Sequence, residues 1–308
     1  MTDFLTTWLA SAPAFMTPLL LASVGLILCE RAGVLNLGAE GIMAIGAMTG
    51  AFSVVSGASP FAALVFGALA GLAVSIPFLI AVVVFRAEQI LAGLALVAIG
   101  LGVAATLGRD IAHTPFSGIR NLTLPDALTG IPYVGGMLFS QNALTYVSVL
   151  IAIVAALFLA RGLHGLRLRA VGEDPATADA AGVDVQLYQI GALTAGCLLI
   201  GLAGAYLSVA GSRVWVDGMV AGRGWIAIGL VVFAQWSPLR AILGALIFGA
   251  ADALIPRLQA TGVDVPVYIL SMTPYVLTIV LLVVVALAGG RRSAEPGFLG
   301  RAYLRQDR

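Results

Sequence analysis

The stretch ERAGVLNLGAEGIMAIGA, residues 30–47, places charges, an asparagine and several glycines inside a long apolar region. A charge at the centre of a bilayer costs about 2.5–3.5 kcal/mol, so such residues usually face a cavity or a partner. The rest of the chain is just as apolar: 60% of its 308 residues are hydrophobic, 10% are charged and the mean hydropathy is +1.05. A soluble domain has about 45–50% apolar and about 25% charged residues. The composition therefore predicts an all-α polytopic membrane protein.

The basic residues exclude several mechanisms. All 16 of them are arginine, so the chain has no lysine for a P-loop nucleotide site or for a Schiff base. If ATP drives this protein, another chain must hydrolyse it. The net charge of +1 gives no indication of a nucleic-acid partner. Cys29 and Cys197 lie in apolar runs without disulfide or metal spacing, which favours a packing role.

Apolar runs long enough for a membrane helix of about 20 residues recur along the chain. They predict about 8–10 transmembrane helices. The segment at 225–236 is short for a span and is interpreted as a half-helix or as part of a longer one. The segment at 34–56 contains Asn36 and Glu40 and is expected to be broken. The candidate segments are 11–29, 34–56, 60–85, 90–108, 143–160, 189–211, 225–236, 239–256 and 267–288.

The distribution of arginine predicts the orientation, because cytoplasmic loops carry an excess of basic residues. With the loop at 161–188 inside, most arginines fall on the inner side, the N-terminus lies outside and the C-terminus lies in the cytoplasm. Residues 109–142 would then face outward. We expect a transmembrane domain over 1–288, in a bacterial inner membrane. The basic tail at 289–308 is expected to fray in the cytoplasm.

Two copies of the pattern G-x-x-A-I-G indicate an internal repeat. They occupy 41–46 and 224–229 and run in opposite directions in the predicted topology. Inverted repeats of this kind are common in transporters. Repeat one would cover about 11–108 and repeat two about 189–288, on either side of a central span at about 143–160.

The polar groups near these copies are candidate pathway residues. Asn36 and Glu40 are four residues apart and would share one helical face, while Gly38 and Gly41 allow close backbone approach. The alternative for this group is a structural hydrogen-bond network between helices. Trp225 is a candidate stacking surface for a ring-shaped solute, or else an interfacial anchor. The acidic residue Asp217 and the basic residue Arg223 are interpreted as a surface pair.

The loop at 161–188 contains a predicted short helix. Asp174 is suited to cap it, Pro175 to occupy its first position and Gly182 to end it. Between them lie mostly alanines, so the helix carries little side-chain bulk. We expect it to insert into a groove of another protein. The alternative is an interfacial helix lying on lipid, which its acidic residues disfavour on an anionic leaflet.

Several stretches together resemble permeases of the branched-chain amino acid/simple sugar class of ABC importers. These are ERAGVLNLGAEGIMAIGA, LRAVGEDPATADAAGVDV, AGRGWIAIGLVVFAQWSPLRAILGALIFG and MTPYVLTIVLLVVV, and the likeness runs from about residue 15 to 288. The N-x-G-x-E-G form resembles the nucleoside (guanosine or purine nucleoside) branch in particular. The resemblance implies a type II-like importer permease. It places Asn36, Gly38, Glu40 and Gly41 in or beside the pathway. It also implies an ATPase contact formed by Gly172, Glu173, Pro175, Ala180, Ala181 and Gly182.

The resemblance also implies partners. It predicts a second permease subunit forming a heterodimer, an ATP-binding subunit and an extracytoplasmic solute-binding lipoprotein. This chain would bind no cofactor itself, with ATP and Mg on the partner ATPase. We expect nucleoside transport by alternating access, with simple sugars or branched-chain amino acids as alternative solutes. The rivals are an ATP-independent channel or carrier and an intramembrane enzyme, for which the sequence shows no catalytic set.

Overall fold

A computed structural model describes residues 2–122, 131, 134–260, 272–287 and 294–303. Within these ranges the chain is almost entirely helical and forms no strand beyond two isolated bridges. Two π-helical turns, Ile80–Val84 and Leu207–Ser212, each extend the α-helix that precedes them in the chain. The α-helices are α1 (Thr2–Arg31), α2 (Ala39–Val55), α3 (Pro60–Leu79), α4 (Gln89–Gly108), α5 (Gly135–Phe139), α6 (Ala143–Arg161), α7 (Leu163–Glu173), α8 (Pro175–Ala180), α9 (Val185–Tyr206), α10 (Arg223–Phe233), α11 (Pro238–Ala260) and α12 (Thr273–Leu287).

Six of these helices are long and apolar enough to cross a membrane, namely α1, α3, α4, α6, α9 and α11 with their extensions. All nine predicted segments contain a helix. The helices α2 and α10 are shorter, with 17 and 11 residues, and α12 has 15 described residues. The predicted break in the segment at 34–56 is confirmed, because residues 34–36 are not helical and α2 begins only at Ala39.

The helix α1 lies at the centre of the bundle and packs against α9, α11 and α10. The helix α2 is enclosed by α9, α3 and α4. Large apolar side chains on α3, α4 and α6 point outward, for example Phe61 and Leu150, which are 62% and 58% exposed. An exposed apolar shell around a buried helical centre is the arrangement expected of a protein solvated by lipid.

Glycines bring α2, α3 and α9 into backbone contact. Gly46 faces Gly201 so closely that a Cβ on Gly46 would overlap the Gly201 carbonyl. A Cβ on Gly71 would lie 2.5 Å from the Gly201 Cα, and one on Gly67 would lie 2.7 Å from the Gly46 oxygen. Small residues at helix contacts allow the close van der Waals packing that holds membrane helices together.

The last turn of α1, the helices α7 and α8, and residues 294–303 lie together at one end of the bundle. We call it the α8 end. The C-terminal residues 294–303 form a segment, here called the tail strap, that lies across it. These elements are joined by backbone contacts, such as the hydrogen bond from Gly300 N to Gly33 O at 3.3 Å. The α8 end therefore forms one packed surface.

Candidate functional site

The two short helices α2 and α10 meet N-terminus to N-terminus at Glu40. One carboxylate oxygen of Glu40 accepts a hydrogen bond from Gly222 N at 2.8 Å, and the other accepts one from Gly224 N at 2.7 Å. Glu40 is only 6% exposed. Both oxygens thus face donors, which fits an ionised carboxylate held at a helix N-terminus, where free amides and the helix dipole favour negative charge. The two G-x-x-A-I-G copies begin on either side of this contact.

Asn36 shapes the turn that leads into α2. Its side-chain oxygen accepts a hydrogen bond from Gly38 N at 2.9 Å, and its amide donates to the Cys197 sulfur at 3.5 Å. This local bond lets the backbone turn before the helix begins. The expectation that Asn36 and Glu40 share a helical face is therefore wrong, because Asn36 precedes α2. Both side chains are buried and hydrogen-bonded across helices, as in the alternative of a structural network.

Gly38 and Gly41 allow α4 to approach this turn. A Cβ on Gly41 would lie 2.5 Å from the Leu96 oxygen, and one on Gly38 would lie 2.5 Å from the Leu96 side chain. On the opposite helix, a Cβ on Gly100 would lie 2.5 Å from the Gly41 Cα. The two glycines therefore serve close packing of α2 against α4, as their small size predicted.

Arg223, the first residue of α10, forms an ion pair that the sequence analysis missed. It contacts Asp252 on α11 at 3.2 Å, with the two side chains 20% and 8% exposed. The predicted surface pair of Arg223 with Asp217 is wrong, because this contact is the one ion pair among the residues described. Arg223 and Asp252 come together only because α10 and α11 pack against each other. No local sequence pattern predicts this pair.

Trp225 offers an aromatic surface next to the junction. It follows Gly224 directly and is 38% exposed. Tyr275 of α12, 43% exposed, lies beside the same turn and donates from its hydroxyl to Ala221 O at 3.3 Å. The chain thus presents two aromatic side chains near the meeting point of the short helices.

The short helix α8 has the predicted boundaries. Asp174 caps it by accepting hydrogen bonds from Ala176 N at 3.0 Å and Thr177 N at 3.2 Å. The Thr177 hydroxyl also donates to Asp174 at 2.6 Å. This hydroxyl contact, together with the two amides, lowers the pKa of Asp174 below its ordinary value. The cap therefore stays ionised, and formed, throughout the neutral range.

The far end of α8 closes with a glycine turn. Gly182 has φ +82, Gly182 N donates to Asp179 O at 2.9 Å and Val183 N donates to Ala178 O at 3.0 Å. This pair of bonds satisfies the last carbonyls of the helix in the Schellman arrangement. The prediction that Gly182 ends the helix is confirmed.

The six residues proposed for the ATPase contact divide into two groups. Two are buried: Pro175, and Gly172, whose carbonyl accepts a hydrogen bond from Phe298 N at 3.0 Å. The four exposed ones are Glu173, Ala180, Ala181 and Gly182. Three of these are consecutive and small, so the C-terminal half of α8 leaves its backbone open to a partner.

The tail strap is fastened to the α8 end, so the expectation that the tail frays is wrong for residues 294–303. Its backbone groups form hydrogen bonds with the protein, where the backbone of a free tail would form them with water. The remaining residues of the predicted tail lie outside the described residues. The contacts are Arg31 Nη1 to Ala294 O (3.3 Å), Gly297 N to Glu173 Oε2 (3.1 Å), Phe298 N to Gly172 O (3.0 Å), Gln89 Nε2 to Arg301 O (3.3 Å) and Tyr303 OH to Asp179 Oδ2 (3.2 Å).

Over residues 9–287 the chain matches the family model described as the branched-chain amino acid transport system / permease component. No solved structure gives a significant match.

Three relatives cover nearly the whole chain. TsgC13 of Haloferax volcanii, an ABC transporter permease assigned provisionally to glucose, is 36% identical over 94% of this chain and 95% of its own length. The nucleoside ABC transporter permease NupC of Lactococcus lactis is 34% identical over 87% and 88%. The guanosine ABC transporter permease NupQ of Bacillus subtilis is 32% identical over 94% and 90%. Together with the apolar helices and the family match, these relatives show that the chain is a multi-pass membrane protein belonging to the branched-chain amino acid/simple sugar family of ABC transporter permeases.

Proposed function

We propose that this chain moves nucleosides across the membrane by alternating access, driven by a separate ATP-binding chain. The observation that carries the proposal is the meeting of α2 and α10 at Glu40. Discontinuous helices whose N-termini converge inside the bundle mark solute sites in many transporters, and they often come from inverted repeats. The two G-x-x-A-I-G copies at this contact support the inverted repeat.

The pathway follows the exposed side of this junction. Trp225 would provide the stacking surface for a planar base, since an aromatic face accepts rings with little loss of side-chain entropy. The buried residues beside this junction would hold the two short helices in place. They are Asn36, Gly38, Glu40 and Gly41. The exposed aromatic side faces out of the single chain, so a second permease subunit would complete the conduit as a heterodimer.

The α8 end would face the cytoplasm and receive force from the ATPase. The exposed residues Ala180, Ala181 and Gly182 would sit in its groove, with Glu173 at the edge. Gly172 and Pro175 would transmit the movement, because they are packed against the body of the protein. An extracytoplasmic binding lipoprotein would deliver the solute at the opposite end.

The coupling surface is tested by Ala181→Arg. Ala181 is exposed and has φ −83, so an arginine fits its backbone but blocks a groove that receives α8. Gly182 is a poorer choice, since its φ of +82 would strain any larger residue. We expect Ala181→Arg to leave the amount of membrane-inserted protein unchanged and to abolish ATP-dependent uptake.

Ala181→Ser is the matched control, because it keeps a small side chain at the same position. It should retain uptake close to that of the unchanged protein. Normal uptake in the arginine variant would remove the case for α8 as the ATPase contact.

The solute is tested by competition in proteoliposomes that contain the full transporter. Unlabelled guanosine, glucose and leucine would compete with labelled guanosine. Two relatives named for nucleosides and the N-x-G-x-E-G motif favour guanosine, while the 36% identity to TsgC13 favours glucose as the second candidate. If labelled guanosine is not taken up, while uptake of labelled glucose is reduced by unlabelled glucose and not by guanosine, the sugar proposal would replace the nucleoside one.

A further inference from the structure

A polar cavity of about 470 Å³ lies at the α8 end, away from the Glu40 junction. Its walls come from three separate parts of the chain. These are the turn between α3 and α4, the segment from the end of α8 into the start of α9, and the tail strap. The volume falls within the range of about 300–1,000 Å³ that is typical of small-molecule sites.

Gln189 lines this cavity without a hydrogen-bond partner. The side chain, on the second turn of α9, is 8% exposed, and no residue in the described ranges bonds to its amide. The neighbouring Gln89 differs, since it accepts from Leu35 N at 2.7 Å and donates to Arg301 O at 3.3 Å. The amide is therefore free to bond to water or to a polar ligand that enters the cavity.

Two arginines line the same cavity. Neither Arg86 nor Arg301 reaches a carboxylate within ion-pair distance among the residues described. The carboxylates in the wall are engaged at helix ends: Asp184 accepts from Leu187 N at 3.0 Å. Asp179 accepts from the Tyr303 hydroxyl at 3.2 Å. The cavity therefore contains two guanidinium groups without a carboxylate partner, and planar guanidinium groups are the side chains best suited to phosphate.

We propose that this cavity binds a small phosphate-bearing solute. Arg86 and Arg301 would hold the phosphate, and the amide of Gln189 would bond to a polar group of the ligand. Because Arg301 belongs to the tail strap and Gln189 to α9, the ligand would tie the strap to the segment that follows α8. The site is separate from the solute pathway, so the inference holds whichever solute the transporter carries.

The test uses the full-length chain in nanodiscs of zwitterionic lipid, without the ATPase and its nucleotide sites. The probes are inorganic phosphate and guanosine 5′-monophosphate, with unphosphorylated guanosine as the ligand control. We expect calorimetry to detect binding of both phosphates. Loss of a charge-assisted hydrogen bond weakens binding by about tenfold or more, so Arg301→Gln should have that effect on the monophosphate. Gln189→Leu removes a neutral hydrogen bond and should weaken binding of the monophosphate by about two- to tenfold.

Arg161→Gln is the matched charge control, since Arg161 is exposed on the last turn of α6 and is not part of the cavity. It should leave the affinity unchanged. Gln189→Glu provides a second variant of equal size, which should repel the phosphate even if the leucine variant folds poorly. Hydrogen exchange should show that the monophosphate protects residues 294–303 in the unchanged chain but not in the Gln189→Glu variant.

Two outcomes would overturn the proposal. One is an absence of phosphate binding, and the other is an affinity that Gln189→Leu and Gln189→Glu leave unaltered. Repeating the titration in nanodiscs with phosphatidylglycerol distinguishes the source of the phosphate. If the anionic lipid competes with the monophosphate, the natural ligand is a lipid headgroup, and if it does not, the ligand is a soluble phosphate ester.

Discussion

Replacing Glu40 by glutamine should loosen the contact between the two short helices. The carboxylate accepts two backbone hydrogen bonds, at 2.8 Å from Gly222 N and 2.7 Å from Gly224 N, in a site that is 6% exposed. A hydrogen bond to a charged group contributes about 1.5–3 kcal/mol, whereas a neutral one contributes about 0.5–1.5 kcal/mol. Glutamine keeps one neutral acceptor and turns an amide group toward the second N–H. The free energy of unfolding should therefore fall by about 2–4 kcal/mol.

The measurement is the unfolding transition of the detergent-purified chain, followed by tryptophan fluorescence, together with uptake in proteoliposomes. Glu88→Gln is the matched control. Glu88 also accepts two backbone bonds, from Ile90 N at 3.1 Å and Leu91 N at 2.6 Å, but it lies exposed at the start of α4. Its replacement should cost about 1 kcal/mol or less. Equal costs for the two variants, or no cost at Glu40, would refute the view that burial makes this junction strong.

Two further predictions concern packing and charge. Gly46→Ala should destabilise the bundle by about 1–3 kcal/mol, because the new methyl group overlaps the Gly201 carbonyl. Gly102→Ala, which meets nothing within 4 Å, should be neutral or slightly stabilising in the same unfolding assay. Arg223→Gln should cost about 3 kcal/mol, since it leaves Asp252 buried without its charge partner. Adding Asp252→Asn should recover part of that loss, and strictly additive costs would argue against the ion pair.

The parts of the fold that depend on local signals could be predicted from the sequence. The boundaries of α8 follow from Asp174, Pro175 and Gly182, whose effects act within one helical turn. The apolar segments likewise correspond to helices, because a membrane helix must satisfy its own backbone. The break before α2 was predictable from the polar residues that interrupt its segment.

The parts that depend on distant contacts were not predictable. Asn36 and Glu40 were expected on one helix, but the Asn36 side chain stabilises a turn that delays α2 to Ala39. The ion-pair partner of Arg223 depends on how α10 packs against α11. The spacing of residues in the sequence does not predict that packing. The stretch 289–308 contains several basic residues, as is typical of a free end, yet Gly172 O and other backbone groups of the α8 end bind its segment 294–303.

The proposal of an ATP-driven conduit is tested most directly by guanosine uptake into proteoliposomes with and without the ATP-binding partner. We expect uptake against a gradient only when the partner and ATP are both present, and its loss when ATP cannot be hydrolysed. Uptake at the full rate by this chain alone, without any nucleotide-hydrolysing companion, would contradict it.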